Sequence, residues 1–224
     1  MNTLLLDLLP LMLAAALVPL YPILLLLVLL GEGGLRTASA FVAGLLAVRL
    51  AQGVLFGWVF GAAAEAYPDD GPQLIAATLL LVVGLLLLLA AFKKWRKQPD
   101  PDEPTPQWMA ALGRLSSLKA LGAGAAIMAV DVKQLVLTLT AIDLIQGAAL
   151  GAATAAAVYL FYTLVVQMFV LLPLLAYAVA PQRADKPLRA AQGWLERNNR
   201  PILIGVSLVF GLWFLAKGVT GLIG

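Results

Sequence analysis

Arg49, Asp131 and Lys133 lie inside long apolar runs, where a bilayer offers little but hydrocarbon. Each such charge at the membrane centre costs roughly 2.5–3.5 kcal/mol on insertion scales. A chain tolerates that cost where the charges face protein or a watery cavity. Two cations and one anion leave a net positive balance at mid-depth. That balance suits a carboxylate, phosphate or sulfate. It suits a divalent cation poorly, because such ions want several oxygen ligands. Asp131 is the only carboxylate at this depth, which makes it the candidate proton carrier. Burial eases its protonation and Arg49 opposes it.

Arg49 follows Arg36 by thirteen residues, about 20 Å along a helix. It opens a row with Gly53, Gly57 and Gly61, whose small residues let another helix approach or serve a homodimer equally well. Gln52 lies beside it. On a regular helix Gly124, Asp131, Gln134 and Thr138 share one face. Lys133 is then rotated by about 200° from Asp131. The two face one cavity only if the helix is distorted there. Otherwise Arg49 is the better partner for Asp131, in a functional pair or a purely structural one. Tyr159, Thr163 and Gln167 form a polar stripe at intervals of four, with Tyr162 alongside and Pro173 expected to bend the helix beyond it. Pro19, Tyr21 and Pro22 interrupt the first apolar run. These prolines deprive the carbonyls of Ala15 and Val18 of their usual partners. In lipid such carbonyls need other donors, so the break should face protein or water. Asp7, Glu65, Asp143 and Lys217 fall near segment ends and are expected to be solvated.

The elements that position these groups are membrane spans. Of 224 residues, 62% are hydrophobic and 12% charged, and mean hydropathy is +0.95. A soluble domain carries about 25% charge. The apolar segments are 4–30, 37–64, 73–92, 118–142, 147–179 and 201–223, each long enough to span. The connections 93–119 and 180–200 are basic, whereas 65–72 has three acids and no base. By the positive-inside rule the basic loops are cytoplasmic and both termini lie outside. The first segment has no basic region before it and is expected to remain uncleaved. Residues 98–116 begin as a proline-rich linker. They divide the chain into spans at 1–97 and spans at 117–224. Three spans each makes any repeat inverted. A short echo between Leu81-Val-Val-Gly84 and Leu208-Val-Phe-Gly211 fits that arrangement. Residues 185–199 suit a short amphipathic helix on the membrane surface.

The expected fold is therefore an all-α integral membrane protein of six transmembrane helices in two inverted three-helix repeats. There is no cysteine and no histidine, which removes thiol chemistry, the commonest metal ligand and the usual proton shuttle. No cofactor, resident metal, enzymatic chemistry or nucleic-acid partner is expected.

Pro19-Leu-Tyr21-Pro22-Ile, Ala38-Ser-Ala-Phe41-Val-Ala-Gly44 and Asp131-Val-Lys133-Gln134-Leu resemble the lysine exporter superfamily. Within it they are most similar to the group of peptidoglycolipid- or sulfolipid-addressing proteins. Relatives often read Asn-Pro-Lys-Asn-Leu at the third motif. Here aspartate replaces the first asparagine and Val132 the proline. The resemblance implies export across a bacterial inner membrane, with lipid-linked or small polar substrates. Glu32-Gly-Gly-Leu-Arg36-Thr37 echoes a cation-exchanger motif but lacks its aspartate, and reads as a turn.

Together these features point to a secondary exporter of an anionic or zwitterionic solute or lipid. Arg49, Gln52, Lys133, Gln134, Tyr159, Tyr162, Thr163 and Gln167 would line the binding site. Asp131 would couple to protons, and Pro19, Tyr21 and Pro22 would shape the break. A non-transporting assembly subunit and a divalent-cation exchanger are the alternatives. Membrane lipids are the expected surroundings.

Overall fold

A computed structural model describes residues 2–66, 71–96 and 111–223, with side chains at 3–62, 77–96 and 111–223. The first part of the expected linker, 98–110, and the side chain of Glu65 lie outside the described residues. All described secondary structure is helical. We number the helices α1 (Asn2–Ala16), α2 (Leu20–Leu29), α3 (Gly34–Ala66), α4 (Gly71–Arg96), α5 (Ser117–Val130), α6 (Val132–Gly147), α7 (Ala152–Val166), α8 (Met168–Val179) and α9 (Pro181–Ile223).

Three of these, α3, α4 and α9, are long and apolar enough to cross a membrane alone. The other six form three bent pairs: α1 with α2 at 51°, α5 with α6 at 71°, and α7 with α8 at 70°. If each pair is one span, the described residues hold six.

Two of the three breaks have a local cause. Pro19 is the N-cap of α2 and Pro22 sits in its first turn, where a missing N–H costs least. The same prolines stop α1 at Ala16. The second break is made by Asp131, whose backbone is extended and whose side chain caps α6. The third falls at Gln167. Pro173, expected to bend this span, lies inside α8 instead. The carbonyl its ring crowds, one turn back at Phe169, also lies inside α8, so the proline does not account for the break at Gln167.

α9 corrects a second expectation. The surface helix at 185–199 and the sixth span are one continuous 43-residue helix that runs through Pro187 and Pro201. At 1.5 Å per residue it is about 65 Å long, twice the hydrocarbon thickness. Its first turns are held down where Ala184 and Leu188 are buried against α2 and α8.

Glycines set the tightest helix contacts. Gly44 of α3 lies against the Leu121 carbonyl of α5, and Gly124 of α5 against the Phe41 carbonyl of α3. A Cβ on Gly84 of α4 would stand 2.9 Å from the Gly211 carbonyl oxygen of α9 and 2.6 Å from the Leu215 nitrogen. The two glycines that echo each other in sequence thus face each other.

Buried apolar side chains form two clusters. One joins α1, α4, α6, α7 and the later part of α9. The other joins α2, α3, α5, α8 and the start of α9.

Candidate binding site at the helix breaks

The polar centre of the molecule is Arg49, with 0% of its surface exposed. It reaches between the two apolar clusters, touching Met128 of one and Tyr162 of the other. Nη1 donates to Thr138 Oγ1 at 3.1 Å and Nη2 to Gln134 Oε1 at 2.9 Å. Nη2 also lies 3.7 Å from Met128 Sδ. The guanidinium carbon is 6.0 Å from the Tyr162 ring centroid, within cation–π range. Tyr162 stacks on Tyr159, whose hydroxyl donates to the Arg49 carbonyl at 2.6 Å. Every one of these hydrogen-bond partners is neutral.

Gln134 ties this centre to the first break. Its Nε2 donates to the Ala15 carbonyl at 3.0 Å. This is the carbonyl that Pro19 leaves without its helical donor, so the freed group is answered by protein. Gln134 and Thr138 are one turn apart on α6 and hold Arg49 together. Thr138, absent from the expected binding set, is thus part of the site. Its one-turn spacing from Gln134 was the available signal.

Asp131 does not pair with Arg49. Among the described residues the ion pairs are Arg114 with Glu32 and Arg189 with Asp185, both at exposed positions. Asp131 Oδ1 instead accepts from the backbone N–H groups of Lys133 and Gln134, at 3.1 and 3.2 Å. Its Oδ2 accepts from the Tyr21 hydroxyl at 2.8 Å. A regular helix would have carried the carboxylate toward Arg49. The break at Asp131 instead turns it onto the end of α6, where the helix dipole favours an anion. Asp131 followed by Gln134 has the spacing of a capping box, a signal for this break. Asp131 supplies the cap, while the Gln134 side chain goes to Ala15 instead of reaching back.

The same distortion places Asp131 and Lys133 on one small cavity of about 20 Å³. Val18, Pro19 and Ser207 also line it. Lys133 therefore accompanies the broken backbone of the first span. It does not share a hydrogen-bonding partner with Arg49.

The expected stripe on α7 faces inward. Tyr162, Thr163 and Gln167 are buried, and so is Gln52 of α3. Several of their polar atoms have no protein partner: Gln52 Oε1, Tyr162 OH, Thr163 Oγ1, Gln167 Nε2 and also Arg49 Nε. Native interiors leave few such groups unsatisfied, and a cluster of them calls for explanation by water, an ion or a ligand. Pro22 and Tyr21 are buried among the apolar residues around the first break. Asp143 departs from expectation. It is 4% exposed, not solvated, because α6 continues to Gly147 and carries it into the bundle.

The model of the family described as "Sap, sulfolipid-1-addressing protein" matches residues 8–220. The chain belongs to the sulfolipid-1-addressing protein family. The matched stretch reaches into every helix described above and includes the three breaks and Arg49. Comparison with curated proteins and with solved structures gave no match. Family membership and the apolar helices make this a membrane protein, and the family suggests a part in lipid export or addressing.

Proposed function

We propose that this member of the sulfolipid-1-addressing family is a secondary transporter that moves an anionic lipid across the membrane, with Arg49 binding the negative headgroup. One observation carries the reading. Arg49 is a permanent cation, fully buried, and its hydrogen-bonding partners are all neutral. A buried charge without a counter-charge costs several kcal/mol. A phosphate or sulfate entering beside Arg49 Nε and the Tyr162 hydroxyl would supply both the missing charge and the missing acceptors.

Three further features support transport. The spans are broken in pairs around the site, as in transporters that bind at helix interruptions. Gly84 meets Gly211 across α4 and α9, as two related halves would around a two-fold axis. Arg200 donates to the Trp95 carbonyl, so described parts of the two basic connections meet, and their charge favours a cytoplasmic side there and an inner-membrane location. Asp131 remains the candidate proton carrier, with Tyr21 as its hydrogen-bonding neighbour.

Translocation in proteoliposomes tests this. A head-labelled phosphatidylglycerol should cross faster than in protein-free vesicles, and faster than labelled phosphatidylcholine. Arg49→Gln should abolish the difference between the two lipids. If the wild-type protein moves neither lipid, while a second protein co-purifies with it in fixed ratio, the assembly-subunit reading replaces this one.

A further inference from the structure

A second cavity lies next to the Arg49 centre. It is a groove of about 740 Å³ between α3, α6 and α7. Its walls include Leu50, Val54, Ile142, Ala155 and Leu160, and its floor includes the backbone at Gly53 and Gly57. Val54 and Leu160, on opposite sides, are 77% and 49% exposed, so the groove opens sideways to the apolar surface of the molecule. At its inner end stands Tyr159. One face of that ring meets Gly53 and the other side stacks on Tyr162, beyond which lies Arg49.

The glycine row of α3 acquires a different meaning here. Gly53 receives the Tyr159 ring, but Gly57 has only Gln146 Nε2 near, at 3.4 Å from a built Cβ, and Gly61 has nothing within 4 Å. Beyond Gly53 the row does not bring a helix close. It leaves a trough, faced by the small residues Ala152, Ala155 and Ala156 of α7.

We propose that this groove seats one acyl chain of the anionic lipid while its headgroup occupies the Arg49 centre, with Tyr159 as the partition between tail and head. The inference rests on the transporter reading for its headgroup and on the groove for its tail. An apolar trough open to the bilayer, with a buried cation behind its inner wall, matches a molecule with an apolar tail and an anionic end. The Tyr159 ring and its hydroxyl bond to the Arg49 carbonyl are what separate the groove from Arg49, so rotation of this one side chain would open the groove toward it.

Photolabelling tests the chain site separately from transport. The protein is reconstituted with phosphatidylglycerol carrying a diazirine on one acyl chain, or with the phosphatidylcholine counterpart, and labelled peptides are mapped. Label should concentrate on the α3 segment around Val54 and the α7 segment around Ala156. Gly57→Trp and, from the opposite wall, Ala156→Phe should each reduce it by about tenfold or more. Gly61→Leu, outside the groove, serves as the control for added bulk. Even labelling over the whole apolar surface, or unchanged labelling in both filled variants, overturns the chain site and leaves the headgroup reading intact. Labelling that is equal for the two lipids and unaffected by Arg49→Gln keeps an acyl site but removes its link to an anionic headgroup.

Discussion

At the scale of single residues, Gln134 links the Arg49 centre to the first helix break. Its side chain satisfies Arg49 on one side and Ala15 on the other. Gln134→Leu, similar in bulk, strands a guanidinium nitrogen and a carbonyl in the interior. Each unsatisfied group costs about 1–3 kcal/mol, so Tm should fall clearly in detergent or nanodiscs. Asp131 separates two roles. Asparagine caps a helix about as well as aspartate, so Asp131→Asn should keep wild-type Tm. Asp131→Ala should lose about 1 kcal/mol with the cap. If Asp131 carries the proton, the pH profile of transport flattens in Asp131→Asn although stability does not change. An unchanged profile assigns Asp131 to capping alone. Arg49→Lys should recover little of the function lost in Arg49→Gln, because a point charge cannot replace a fork held between Gln134 and Thr138.

At the scale of elements, glycines divide into those that another backbone covers and those that line open space. Gly84→Ala forces a methyl group against the Leu215 nitrogen. It should destabilise the protein by about 1–3 kcal/mol, as overpacking does. Gly61→Ala meets nothing and should be neutral or gain about 0.5–1 kcal/mol from helix propensity. Thermal denaturation of the two variants side by side checks the contrast. The sequence did not distinguish these two cases, since spacing shows that glycines share a face but not what lies opposite. The break at Pro19–Pro22 was legible because proline acts through its own covalent structure. The break at Asp131 was less so. An aspartate can continue a helix or cap one, and tertiary contacts with Tyr21 and Ala15 accompany the second choice here. The inward-facing stripe of Tyr159, Tyr162, Thr163 and Gln167 was visible by periodicity, although whether it packed or lined a path was not. The continuity of α9 was hidden by Pro187 and Pro201, which propensity reads as ends and a long, packed helix absorbs.

At the scale of the whole molecule, two apolar clusters meet at one polar seam, and long α9 belongs to both. Sidedness can be measured directly because the chain has no cysteine. Gln192→Cys on the early part of α9 and Ala148→Cys at the exposed turn after α6 should react with a membrane-impermeant maleimide from opposite sides. Position 192 should be labelled in inverted vesicles and position 148 in intact cells with a permeable outer layer. Labelling of both from one side would overturn the six-span arrangement.

The bond from Gln134 to Ala15 has a mechanical consequence. It joins the corner of the first broken span to the corner of the fourth, residues 119 positions apart. While that bond holds, neither corner can straighten without pulling on the other, so two hinges have one degree of freedom between them. A spectroscopic probe pair placed across either corner should therefore report the same transition, and should cease to do so when Gln134 is replaced by leucine.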